Sequence, residues 1–157
     1  MSNTRNAVVI GGSGGGGGGG LSYTVNSGTA YPANITSITL PDGVTSIETY
    51  AFYSRTSLTS ITIPDGVTSI GASTFYNCMS LTSITLPSGV TSIGDYAFCV
   101  CTSLMELTVL ASTPPTLGSN ALAGVPANCS IRVPAGSVAA YKAAANWSAR
   151  AAYITAI

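Results

Sequence analysis

A chain of 157 residues is long enough for one domain with a buried core. Charged residues make up only 6% of it, against roughly a quarter in a typical soluble domain. Five basic and five acidic side chains cancel, so no long-range field attracts nucleic acid, anionic lipid or a charged substrate.

The chain opens on Met1 to Ile10, where Arg5 precedes only Ala7-Val8-Val9-Ile10. A signal peptide needs roughly 7 to 15 apolar residues, and a membrane span about 18. Neither is seen, so the expectation is that the protein stays inside the cell, leaves it within an assembly, or has lost its signal. Residues 11 to 20 read GGSGGGGGGG. A dinucleotide fingerprint would require a helix after the glycines and an acidic residue about 20 positions on. Consecutive glycines start no helix, and the next acidic residue, Asp42, falls in a turn. Two readings stay open: a flexible linker, or a packed assembly element in which copies from other chains hold the glycines. The candidate assembly segment is Val8, Val9, Ile10, then Gly14, Gly15, Gly16, Gly17, Gly18, Gly19 and Gly20. Asn6 to Ile10 fits a strand that docks on another chain.

From Ile35 the chain repeats itself every 23 residues. The copies are ITSITLPDGVTSIETYAFYSRTS, LTSITIPDGVTSIGASTFYNCMS from Leu58 and LTSITLPSGVTSIGDYAFCVCTS from Leu81; a degenerate fourth begins at Leu104 and a partial fifth at Cys129. In each, a strand pattern alternates a buried and an exposed side: Ile38 and Leu40, Ile61 and Ile63, Ile84 and Leu86, Leu107 and Val109, Ile131 and Val133. Pro41-Asp42-Gly43 and Pro64-Asp65-Gly66 are turns, since proline presets φ, aspartate bonds its own backbone and glycine accepts positive φ. Val44 and Ile47 return inward. Gly71 and Gly94 break the chain before short segments centred on Phe75 and Phe98, read as helical turns, with Asp95 as an N-cap. One unit cannot bury its own apolar side, so units stack at the ~4.8 Å strand spacing and share a core. Such a stack needs covers at both ends. Leu21 to Asn34 is expected to cover the first coil, and the alanine-rich stretch Ser137 to Ala145 reads as a helix that covers the last. Val138 and Tyr141 share a face of it, with Trp147 nearby.

The recurring pattern LxxIxIPxGVTSIGxxAFxxCxxL, nearly gap-free from Ile35 to about Ser103, closely resembles the BspA-like leucine-rich repeats of bacterial and protist surface proteins. The ending IRVPAGSVAAYKAAANWS, Ile131 to Ser148, is similar to the terminal cap of that family. The resemblance implies a leucine-rich-repeat solenoid and a role in adhesion rather than catalysis. The expected organisation is an attachment segment with its poly-Gly run over 1–20, an N-terminal cap over 21–34, leucine-rich repeats over 35–128, and the last partial repeat with a C-terminal cap over 129–157.

The outward positions of the first strand in each repeat form hydroxyl columns: Ser37, Thr39, Ser60, Thr62, Ser83 and Thr85, then Glu106 and Thr108. Threonine suits any exposed strand, yet this remains the best candidate binding face, open to glycan, protein or even ice. Cys78 and Cys101 are one repeat apart and should stack, as small buried hydrophobes or as a bonded pair. Asp42 and Asp65 stack too, but the turn explains them, and the third copy has Ser88 there. With no histidine and no base beside any Ser or Cys, catalysis is not expected, nor are a cofactor or a metal. The reading is a non-catalytic display or adhesion module of an extracellular or virion surface, a phage fibre or decoration subunit or a bacterial adhesin. It would contact a protein or glycan on a host or neighbouring surface, as a homo-oligomer or part of a larger assembly. The alternative is a structural, self-assembling subunit held by its poly-Gly segment.

Overall fold

The computed structural model describes the backbone of Tyr23–Val25 and the whole of residues 34–157. The candidate assembly segment, Val8 to Gly20, lies outside the described residues.

Each repeat makes one coil with three sides. On the first side lie the strands β2 (Ser37–Thr39), β4 (Ser60–Thr62), β6 (Ser83–Leu86), β8 (Glu106–Val109) and β10 (Ser130–Val133). The second side carries β3 (Val44–Ile47), β5 (Ser69–Ile70), β7 (Ser92–Ile93) and β9 (Thr116–Leu117). β1 (Tyr23–Val25) adds to it beside β3, giving a five-stranded sheet. All pairings are parallel, because each coil repeats the direction of the one before. Equivalent residues face one another: Ile38 opposite Ile61, Ile84 opposite Leu107, Leu107 opposite Ile131, and Ile47, Ile70, Ile93 and Leu117 in succession. The alternation expected from the sequence is the burial observed, with Ile38, Leu40, Ile61, Ile63, Ile84 and Leu86 all buried.

The third side differs in kind from the expected helical turns. Between Glu48 and Arg55 the chain makes overlapping turns, with Ala51 N–H donating to Glu48 O, Tyr53 to Tyr50 O and Arg55 to Phe52 O. The amides between them donate instead to the next coil: Tyr50 to Ala72 O, Phe52 to Thr74 O, Ser54 to Tyr76 O. A helix would spend these donors internally; here alternate amides remain for stacking. The geometry requires positive φ at Tyr50, Ser54, Ser73, Asn77, Tyr96, Val100 and Asn120. Asp95 accordingly caps no helix of its own, and its Oδ1 accepts the Ser119 N–H of the next coil at 2.7 Å.

Gly71 and Gly94 are glycine for a different reason than chain breaking. A Cβ on Gly71 would collide with the Glu48–Thr49 backbone, and one on Gly94 would lie 2.5 Å from Ala72 N. Adjacent coils touch there through backbone alone, and Gly94 N–H donates to Ile70 O at 2.8 Å.

Inside the coil, Phe52, Phe75 and Phe98 stack with ring centroids 5.3 Å apart and planes within 12° of parallel. All three are fully buried. The four cysteines are free and buried. Cys78 and Cys101 are small core residues whose thiols donate to Phe52 O at 3.2 Å and Phe75 O at 3.1 Å.

The C-terminal end is closed by α1 (Val138–Ala143), preceded by a 3₁₀ turn over Ala135–Ser137 and followed by another over Ser148–Tyr153. Tyr141 and Trp147 pack edge to face at 5.3 Å and are fully buried. Their polar ends satisfy carbonyls of the fourth repeat: Tyr141 OH to Ala111 O, 2.7 Å, and Trp147 Nε1 to Pro115 O, 2.8 Å. Arg150 donates to Pro126, Leu122 and Val125 carbonyls at 2.8 to 3.0 Å. A strand absent from the sequence reading, β11 (Ile154–Ala156), then pairs with β10.

Candidate binding face

The hydroxyls of this protein divide into two groups by what they touch. Thr59 Oγ1 donates to Thr36 O at 2.8 Å, Thr68 Oγ1 to Thr45 O and Thr91 Oγ1 to Thr68 O at 3.2 Å, each one coil back. Thr74 Oγ1 is buried between Gly71 O and Glu48 O. These groups spend their donors on joining the coils.

The expected face behaves otherwise. Ser37 is opposite Ser60 and Thr39 opposite Thr62; Ser83 is opposite Glu106 and Thr85 opposite Thr108. Thr39, Ser60, Thr62, Ser83 and Thr85 are exposed, while Ser37 and Thr108 are half-buried. No side-chain hydrogen bond engages the hydroxyls of Thr39, Ser60, Thr62, Ser83 or Thr85 among the described residues. Thr108 lies 3.5 Å from Glu106 Oε1, and Glu106 faces Arg132 at 3.9 Å. Both charged side chains are over two-fifths exposed, so this pair adds little stability. The face is a neutral hydroxyl array bordered by one surface ion pair.

Four of the predicted residues, Ser60, Thr62, Ser83 and Thr85, come together around a groove of about 300 Å³. Ser37, Thr39 and Thr108 lie outside it. Asp65 and Leu110 also line the groove, and sequence reasoning had not placed them there. Leu110 carried a signal: it stands where the three preceding repeats have Pro41, Pro64 and Pro87. On the turn side, Tyr53 and Tyr76, one repeat apart in the sequence, stack at 5.1 Å, and the exposed Tyr50 meets Tyr53 edge-on.

Among the described residues no group of three His, Cys, Asp or Glu is placed to hold a metal ion, and no helix is long and apolar enough to cross a membrane.

A family model for the BspA type leucine-rich repeat region, in six copies, matches residues 24–143. The chain belongs to the BspA-type leucine-rich repeat family. Among solved structures, it is similar to a leucine-rich repeat protein of T. pallidum, with a TM-score of 0.62 and 31% identity over 72% of this chain and 53% of that one. A leucine-rich repeat protein from Bacteroides ovatus shares the fold, with a TM-score of 0.56 and 23% identity over 84% of this chain and 39% of that one. The chain thus spans about half or less of the length of these structures. No curated protein matches it significantly in sequence. BspA-type repeats are surface and interaction modules, and no catalytic family is indicated for the chain.

Proposed function

We propose that this BspA-type repeat domain is a non-catalytic display module that holds the first-side sheet outward to contact a protein or glycan on a host or neighbouring surface. One observation supports this most: among the described residues the hydroxyls of Thr39, Ser60, Thr62, Ser83 and Thr85 on that sheet make no side-chain hydrogen bond, whereas the Thr59, Thr68 and Thr91 hydroxyls join the coils. A rigid, neutral, hydroxyl-bearing surface loses little conformational entropy on binding and suits uncharged partners. The setting that fits is the outside of a cell or a virion, as a bacterial adhesin or a phage fibre or decoration subunit, with residues 1–20 as its attachment and homo-oligomerisation segment.

The test is binding of the fluorescently labelled full chain to a panel of bacterial and animal cells and to a printed glycan array. The expected result is saturable binding to a subset of them, little affected by salt because the partner surface meets no net charge. Binding to none of them, or binding that salt abolishes, would contradict the proposal.

A further inference from the structure

The first-side sheet is broken at one seam, between β4 and β6. Ladders join β2 to β4 and run from β6 through β8 and β10 to β11, but β4 and β6 belong to separate sheets. The amide bond that leads into each strand shows the same opening. It measures 2.8 Å from Thr59 N–H to Thr36 O and 2.9 Å from Met105 N–H to Thr82 O, but 3.5 Å from Thr82 N–H to Thr59 O. Leu40 N–H donates to Thr62 O at 3.0 Å, whereas Ile63 N–H, one repeat on, has no hydrogen-bond partner among the described residues. The same two coils stay closed on their other sides, with Thr91 N–H to Thr68 O and Phe75 N–H to Ala97 O both at 2.8 Å. The seam is therefore a local opening, and the 300 Å³ groove lies over it.

The groove's chemistry selects an occupant. It offers fixed acceptors in the Asp65 carboxylate and hydroxyls of Ser60, Thr62, Ser83 and Thr85 that both give and take. Leu110 supplies an apolar wall, and no Lys or Arg lines it. A phosphate, sulfate or acidic sugar would meet Asp65 with no cation to balance it. An extended peptide adding as a strand needs room beside a free strand edge, and here the two strands still approach to 3.5 Å between Thr82 N–H and Thr59 O. A neutral pyranose matches on every count: adjacent hydroxyls that donate and accept, no charge, and a C–H face for Leu110. The volume falls at the small end of ligand pockets, roughly 300 to 1,000 Å³, which suits one or two sugar rings.

We propose that the β4–β6 groove binds a neutral pyranose sugar, with Asp65 accepting from two neighbouring sugar hydroxyls and the Ser60, Thr62, Ser83 and Thr85 hydroxyls bonding the others. This assignment rests on reading the first-side sheet as the binding face. The test is titration of the ¹⁵N-labelled full chain with glucose, galactose, mannose and N-acetylglucosamine, and with cellobiose and lactose, followed by amide shifts. Saturable shifts at Ile63 and Ser83 are expected for at least one sugar. Asp65→Ser, which installs the residue the third repeat carries at this turn, should weaken that sugar roughly tenfold or more. Asp42→Ser, the same change outside the groove, should leave affinity unchanged. Silence at the seam with every sugar, equal effects of the two substitutions, or seam shifts seen only with a neutral peptide would overturn the assignment. If surface binding by the full chain survives Asp65→Ser while the sugars stay silent, the face reading stands and the groove assignment falls. If the wild-type chain binds no surface at all, the face reading itself fails.

Discussion

Val100 sits at φ 62°, a left-handed conformation that costs a β-branched residue about 1 to 2 kcal/mol. The equivalent residue one coil earlier is Asn77, and one coil later Gly124, both tolerant of positive φ. Val100→Asn should therefore stabilise the protein by about 1 kcal/mol in urea unfolding; a loss of stability would show that Val100 is held by packing instead. The thiols make a pH prediction. Burial is the main reason that Cys78 is pushed up to about 12, against smaller opposing effects from the Arg55 amide and charge. Its folded value exceeds the unfolded one, so the neutral thiol's contribution is intact below about pH 9 and is lost as pH rises toward about 12. Burial also pushes Tyr141 up to about 12, adding to the loss above about pH 10. Urea midpoints should fall across that window, and fall less in Cys78→Ser, whose hydroxyl can still donate to Phe52 O. An equal fall in both proteins would remove Cys78 from the explanation.

At the scale of elements, coils meet through backbone at the glycine positions and through the cap at the C-terminal end. Gly94→Ala drives a methyl group against the Ala72 backbone, and overpacking of this kind costs about 1 to 3 kcal/mol or more. Ala72→Gly cannot relieve it, because the clash is with main-chain atoms. Arg150→Gln removes charge-assisted bonds to three carbonyls and should cost about 2 to 3 kcal/mol, read as a fall of several degrees in Tm. A change below about 0.5 kcal/mol would mean that water replaces the guanidinium there. The strands, their buried columns and the α1 cap were readable in advance, because apolar alternation and a fixed 23-residue step express themselves directly in burial. The overlapping turns were not, because TYAFYSR and its next two counterparts place Tyr, Ser, Asn and Val where φ turns positive, and a glycine stands there only at Gly124. Tyr50 and Tyr96 adopt that conformation because stacking amide bonds repay it. β11 was equally hidden, since Ile154 to Ala156 comes after the last repeat without repeating it.

For the whole molecule, near-identical coils pile in register, and the same residue types take different roles on different sides. Face residues Ser60, Thr62, Ser83 and Thr85 were found from alternation alone. The seam that gathers them into a groove was not, because sequences so alike give no sign of where a ladder opens. Stability and binding should therefore reside in separate sets of hydroxyls. The most direct measurement compares two variants of the full chain, Thr39→Gln/Thr62→Gln/Thr85→Gln on the outward face and Thr68→Val/Thr91→Val in the coil-joining column, for Tm and for binding to the cell and glycan panel. The face variant should lose binding with an unchanged Tm, and the column variant should keep binding while losing about 1 kcal/mol for each hydroxyl bond removed. Retained binding in the face variant, or loss of binding only in the column variant, would contradict the assignment of this sheet as the surface through which the protein works.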